Sequence, residues 1–255
     1  MTDEFNPFSL VGKKILVTGA SSGIGRQCAI DFSKAGAQVL LIARNTNRLC
    51  ETLEMMEGKG HGFVSLDLTD FDRIPKCIED YVFENGKFDG LVNCAGISTT
   101  LPLKQMNAGK VNEFLNVNVT SAIELTREVA KVKNMHTGGS IIFFSSIMGC
   151  VGETGKSLYS LTKGALIAAS RSLACELAKR RIRVNCVSPG AILTPINANL
   201  PHMTDPDLRN KLEDKHLLGL GQTSDISNGC IYLLSDASRW VTGQNLIIDG
   251  GYTVR

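Results

Sequence analysis

Little in this chain invites a metal, a membrane or an oxidising compartment. Its four histidines show no H-E-x-x-H or other ligand spacing, which argues against a catalytic metal. The eight cysteines stand singly, without a C-x-x-C pair, and several fall in apolar stretches, so reduced, buried thiols are expected. Apolar runs such as "VLLIA" and "IIFF" are far below the ~20 residues of a spanning helix. The opening "MTDEFNPFSLVGKK" carries acids and no apolar core, unlike a secretory signal. A formal charge of +2, with no basic run or aromatic-basic stripe, gives no pull toward nucleic acid or anionic lipid. These absences point to a cytoplasmic protein that works on a small molecule.

What is present is a core-forming chain of 255 residues, 43% hydrophobic, expected to be one domain over 1–255. Seven short apolar or β-branched runs recur along it: "KILVTG", "QVLLIA", "GFVSLD", "FDGLVN", "GSIIFFSS", "RIRVNCVS" and "NLIIDG". Helical spacing fills the intervals, for example Cys28 to Lys34, Thr69 to Glu84, Val111 to Met135 and Leu158 to Lys179. Strands apolar throughout belong in a sheet covered on both faces, and strand-helix alternation implies parallel crossovers. The fold class is therefore α/β, a doubly wound parallel sheet. An irregular, proline-interrupted stretch, 191–221, reads as a substrate-binding lid within the domain.

The first strand runs into a glycine-rich turn and then a helix, "KILVTGASSGIGRQCAIDFSKAG", with Gly19, Gly23 and Gly25. Glycines permit the tight turn and close backbone approach, and free N–H groups at a helix start attract a pyrophosphate. At a first strand-helix junction this pattern indicates a dinucleotide site. The second strand ends in Ala43 and Arg44, where NAD-selective folds place an acid for the ribose hydroxyls. An arginine there can instead bind a 2′-phosphate, so NADP(H) is expected, with NAD(H) as the alternative. Arg44 could also be an ordinary surface arginine.

Further along, "SLYSLTKGALIAASRS" sets Tyr159 and Lys163 four residues apart, on one face of a helix. Alone, the pair would read as a core tyrosine beside a solvent-seeking lysine. With "TGASSGIG", "NCAG", "SS" and "YSLTK" in that order, however, the sequence resembles the short-chain dehydrogenase/reductase family from Lys13 to Tyr252.

The resemblance implies a Rossmann-type domain with a seven-stranded parallel sheet and nicotinamide-dependent oxidoreduction. It assigns the glycine turn, Gly19, Ser21, Ser22, Gly23, Ile24 and Gly25, to the cofactor. Asp67 and the Leu68 backbone would meet the adenine, although Asp67 also suits a helix-capping turn. Asn93, Ala95 and Gly96 belong to a cofactor-contacting segment in which Cys94 replaces the family's asparagine. A clamp at the end of its strand is the equal alternative for Asn93. Pro189, Gly190, Ile192 and Thr194 would hold the nicotinamide. Tyr159 would be the acid/base, Lys163 would lower its pKa and bind the ribose, Ser146 would polarise the substrate oxygen, and Asn118 would order a water in the proton relay. An unperturbed tyrosine titrates near ~10, which is why the neighbouring cation matters.

For substrate the resemblance is closest to the 3-oxoacyl-(acyl-carrier-protein) reductase group, whose acidic carrier protein would dock on basic residues near the site mouth. Lys179, Arg180 and Arg181 form one basic cluster, and Lys131, Lys133 and His136 a looser second; both could also be ordinary dipole partners. A sugar, polyol or other secondary-alcohol dehydrogenase is the alternative, and a non-catalytic NADP-binding regulatory protein a third. The apolar circumference of the Tyr159 helix asks for burial on more than one side, and the resemblance, which extends to the C-terminal "TGQNLIIDGGY", implies a homotetramer.

Overall fold

The computed structural model of the protein describes residues 6–194 and 204–255. Seven parallel strands form one sheet: β1 (Lys14–Thr18), β2 (Gln38–Ala43), β3 (Gly62–Ser65), β4 (Phe88–Asn93), β5 (Met135–Phe144), β6 (Arg183–Pro189) and β7 (Asn245–Ile248). Their spatial order is β3-β2-β1-β4-β5-β6-β7, all neighbours parallel. All seven coincide with the apolar runs of the sequence, and the expected doubly wound sheet is what forms.

Successive strand residues point to opposite faces, and here both faces are apolar. Leu16, Leu40, Leu91, Ile141 and Phe143 point into one core, covered by helices α3 (Arg73–Asn85), α5 (Ser121–Val129) and α6 (Ser157–Leu177). Ile15, Val17, Val39, Leu41, Val92 and Ile142 point into the other, covered by α1 (Gly23–Lys34) and the final helix α8 (Thr223–Leu234). Because the strand order reverses between β1 and β4, a crevice opens there at the carboxyl ends of the strands, the place where doubly wound sheets bind ligands.

Two helical expectations need correction, and one helix was not foreseen. The stretch Val111 to Met135 is not one helix: α4 (Ala108–Leu115) passes through a wider π-turn at Asn116–Thr120 into α5, and Met135 already begins β5. The helix predicted from Thr69 starts at Arg73, because Asp67 and Thr69 close a turn first. The short α2 (Thr46–Glu54) carries too few apolar residues to announce itself; Asn45 caps it by accepting the Arg48 N–H at 3.0 Å.

Within 191–221, residues 195–203, including Pro195 and Pro201, lie outside the described residues. The rest contains α7 (Pro206–Glu213), capped by Asp205 on the Asp207 and Leu208 N–H groups. Its base is tied down: Gly221 N–H donates to Ala191 O at 3.1 Å, and Leu193 N–H to Gly221 O at 3.3 Å. Buried His216 accepts from Ala191 N–H at Nε2 (3.1 Å) and donates from Nδ1 to Leu212 O (2.8 Å). No helix among the described residues is long and apolar enough to cross a membrane.

Candidate active site

A cleft of about 1260 Å³ runs along the carboxyl ends of β1 to β6. At one end lies the glycine turn. Gly19 takes φ +67°, open to glycine at little steric cost, and its Cα position faces the Ala95 backbone at the end of β4. Thr18 joins the same two strands: its hydroxyl accepts the Cys94 and Ala95 N–H groups, each at 3.0 Å. A Cβ on Gly25 would stand 2.4 Å from the Gly19 carbonyl oxygen, so α1 starts flush against the turn. Arg26 braces the loop by donating to Ser21 O at 2.8 Å and pairing with Glu51 at 2.9 Å.

Beyond the turn, Arg44 lines the cleft with its side chain largely in solvent, 3.9 Å from Asp67. Asp67 has one oxygen in a turn with the Thr69 N–H and hydroxyl, at 3.0 and 2.8 Å, which holds its carboxyl below the usual range. Asp67 therefore closes a turn, as its alternative reading foresaw, but caps no helix, since α3 begins at Arg73 with Asp72 as its N-cap; its second oxygen faces Arg44. Asn45 and Arg48 also line this end and were missed from the sequence, where nothing distinguishes Arg48 from a surface helix arginine.

At the other end, Ser146, Tyr159 and Lys163 converge. Ser146 follows β5 and caps a short turn through Met148 N–H at 3.2 Å. Tyr159 sits in the first turn of α6 and Lys163 one turn later, its Nζ 5.6 Å from the Tyr159 ring centre. Ser145 is the structural neighbour, donating to Lys163 O at 2.8 Å. Asn118, on the π-turn, is buried behind this group rather than on the cleft wall: Oδ1 accepts Ile97 N–H (2.8 Å), and Nδ2 donates to Ile97 O (2.9 Å) and Thr162 Oγ1 (3.1 Å). The Asn118 Oδ1 and Lys163 Nζ atoms both face Gly96, 3.1 and 3.5 Å from where a Cβ would be.

The electrostatics correct one expectation. Burial pushes the Tyr159 phenol up to about 12, against a hydrogen bond from Ser146 that favours the ionised form. Burial likewise pushes the Lys163 ammonium down to about 8. Lys163 does not lower the phenol within the polypeptide alone, because its Nζ is aimed at the Phe144 carbonyl oxygen, 2.7 Å away. Desolvation outweighs a cation turned toward another acceptor.

Of the remaining expected residues, Ser21, Ser22, Gly23, Ile24, Leu68, Ala95, Gly96, Pro189, Gly190, Ile192 and Thr194 all line the cleft. Asn93 does not: buried, it donates to Thr126 Oγ1 at 3.1 Å, which is the strand-end clamp, while its Oδ1 has no hydrogen-bond partner among the described residues. The Thr194 hydroxyl is buried without a partner among the described residues. A flush glycine cradle at one end and an unsatisfied hydroxyl at the other fit a dinucleotide laid across the switch point.

The basic clusters are misplaced for docking at this mouth. Lys179 to Arg181 follow the far end of α6, about 30 Å along the helix from Tyr159. Arg180 is engaged with the Ala130 and Met135 carbonyl oxygens. Lys131 and Lys133 pair with Glu128 and Glu79 beside the amino end of β5, the opposite edge of the sheet.

A glycine turn at the switch point and a Tyr-Lys pair facing it define a dehydrogenase/reductase class, and comparison with known proteins agrees. A family model described as Enoyl-(Acyl carrier protein) reductase matches residues 19–253, and the chain belongs to the short-chain dehydrogenase/reductase family as one of its oxidoreductases. It is 34% identical over 248 residues to 3-oxoacyl-(acyl-carrier-protein) reductase FabG of Thermotoga maritima, covering 96% of this chain and 99% of that one. Among solved structures it resembles a putative NAD(P)-dependent gluconate 5-dehydrogenase of Beutenbergia cavernae with bound NADP (TM-score 0.91, 32% identity, 98% of this chain and 100% of that one). It also resembles a gluconate 5-dehydrogenase of Burkholderia cenocepacia in complex with NADP and tartrate (TM-score 0.90, 27% identity, 98% of each chain).

Proposed function

We propose that the protein is an NADP(H)-dependent oxidoreductase interconverting a small ketone and its secondary alcohol, with Tyr159 as the proton-transferring group. The observation that carries this is the convergence of Ser146, Tyr159 and Lys163 on the cleft that also holds the glycine turn. NADP(H) supplies or accepts the hydride. The Tyr159 phenol, kept protonated by its burial, donates its proton to the carbonyl oxygen as that oxygen becomes an alkoxide. Ser146 donates a hydrogen bond to the same oxygen, and Lys163 restores the phenol's proton through the region shared with Asn118.

For the cofactor, the turn from Gly19 to Gly25 with the start of α1 takes the pyrophosphate, and Arg44 the 2′-phosphate. Asp67 and Leu68 border the adenine, Ala95 and Gly96 flank the ribose, and Pro189, Gly190, Ile192 and Thr194 hold the carboxamide. The Thr194 hydroxyl supports that last placement because it is buried with no hydrogen-bond partner among the described residues. The lid reading of 191–221 is supported, among the described residues, by Leu208, Lys211 and Leu212 of α7, which line the cleft.

A 3-oxoacyl thioester is the second substrate reading, supported by identity along nearly the whole Thermotoga enzyme. The distance of the basic clusters from the mouth weighs against a docked carrier protein. Homotetramer formation is supported by half-exposed Leu161 on the outer face of α6 and exposed Trp240. Titration with NADP⁺, then NADPH loss against acetoacetyl thioesters, small ketones and keto sugars, tests the assignment. Absence of NADP⁺ binding would remove it.

A further inference from the structure

The substrate end of the cleft contains a lysine that the catalytic set leaves unused. Lys156 immediately precedes α6, is 8% exposed and lines the cleft. Its Nζ donates to Thr100 Oγ1 at 2.7 Å and Thr99 O at 3.3 Å, both neutral acceptors, which accounts for two of three N–H donors. Among the described residues no carboxylate lies within ion-pair distance. Glu153, three positions earlier, is 3.8 Å from Lys215 instead.

The position adds to the charge. Lys156 is the N-cap of a 21-residue helix that no side chain caps and whose first turn holds no acid. Helix N-termini carry partial positive charge and usually receive Asp, Ser, Thr or Asn, so a lysine here adds like charge to like. Burial of an uncompensated cation is costly unless an anion joins it. Burial also pulls the Lys156 ammonium down from its ordinary range, a shift that the charge of Glu153 opposes without reversing. Lys211, Lys215 and His216 line the same region, against Glu113 and Glu153.

We infer that Lys156 and the N-terminus of α6 recognise a carboxylate on the substrate, which makes that substrate a small keto acid or the corresponding hydroxy acid. Tyr159 follows three residues later and lines the same cleft, so one compact molecule can present its carboxylate to Lys156 and its reacting carbon to the phenol. A 3-oxoacyl thioester has no charge to present there. The reaction rests on the oxidoreductase reading above; the anion site does not.

The test separates the two. With NADP⁺ saturating, calorimetry compares tartrate, a hydroxylated dicarboxylate, with the neutral polyol threitol. The wild type is expected to bind tartrate on the order of tenfold or more tightly than threitol. Lys156→Gln should lose that margin while titrating with NADP⁺ as the wild type does. Lys156→Arg should keep part of it, and Lys104→Gln, on an exposed turn, all of it. In turnover, acetoacetate should outperform methyl acetoacetate, with the Lys156→Gln loss falling on KM for the acid. Equal tartrate affinity in Lys156→Gln and wild type, or no preference over threitol in the wild type, overturns the inference. Failure to reduce any ketone would instead strike the oxidoreductase reading and leave the tartrate result standing.

Discussion

Replacing Gly25 by alanine places the first atom of a side chain where the structure has no room. The new Cβ would lie 2.4 Å from Gly19 O, 2.7 Å from Gly19 C and 3.1 Å from Thr18 O. All three are backbone atoms, which cannot rotate away as a side chain would. Against ordinary contact at 3.4 Å the shortfall is about 1 Å, so either the turn or the start of α1 must shift by that amount. Overpacking of this kind costs about 1–3 kcal/mol. For a chain of this length that lowers Tm by about 2–12 °C. The larger effect falls on the cofactor, because N–H groups displaced by about 1 Å no longer meet the pyrophosphate, and each charge-assisted hydrogen bond lost is worth on the order of tenfold or more in affinity. Thermal melts and NADP⁺ titration read both quantities. Gly152→Ala, whose Cβ meets nothing within 4 Å, is the control and should leave both unchanged. A Gly25→Ala protein that bound NADP⁺ as tightly as the wild type would refute the cradle.

Two further substitutions probe the cleft. Arg44→Ala should raise KM for NADPH about 10- to 100-fold and leave KM for NADH nearly unchanged, since a charge-assisted bond to phosphate is lost and the 3.9 Å pairing with Asp67 is solvent-exposed. Lys163→Met should abolish activity yet raise Tm at pH 7. The folded-state ammonium titrates at about 8 against the usual 10.5, so below pH 8 the fold carries the full charge penalty, about 3 kcal/mol. The lost bond to Phe144 O returns only about 1 kcal/mol of that. Between pH 8 and 10.5 the unfolded chain holds a proton the folded chain has released, so wild-type stability rises and the Tm gap should close. A Lys163→Met protein less stable than wild type at pH 7 would show that burial of this amine is not the dominant effect.

The sheet was legible because a parallel strand buried on both faces reads as a near-continuous apolar run, as the centres of "KILVT" and "QVLLIA" do. Helix interruptions were not. Asn116 to Thr120 keeps helical spacing, and only the hydrogen bonds of Asn118 to Ile97 and Thr162 show why the backbone widens there. The cleft residues were readable where a motif fixes their spacing, as for Tyr159, Lys163 and Ser146. Asn93 stayed open because a polar residue at a strand end serves a clamp and a ligand equally well, and only the structure shows its Thr126 partner. The Tyr159 pKa was misjudged because i+4 spacing places Lys163 nearby without saying where its ammonium points. Lys156 was invisible as a site residue, since a lysine ahead of a helix usually stands in water.

Stopped-flow measurement of NADPH oxidation in a single turnover, comparing wild type with Tyr159→Phe on the best ketone of the panel, bears most directly on the account. NADP⁺ affinity should stay within about twofold while the rate falls on the order of 10³-fold, the range for loss of a general acid. A variant that oxidised NADPH within tenfold of the wild-type rate would contradict the placement of proton transfer on this phenol.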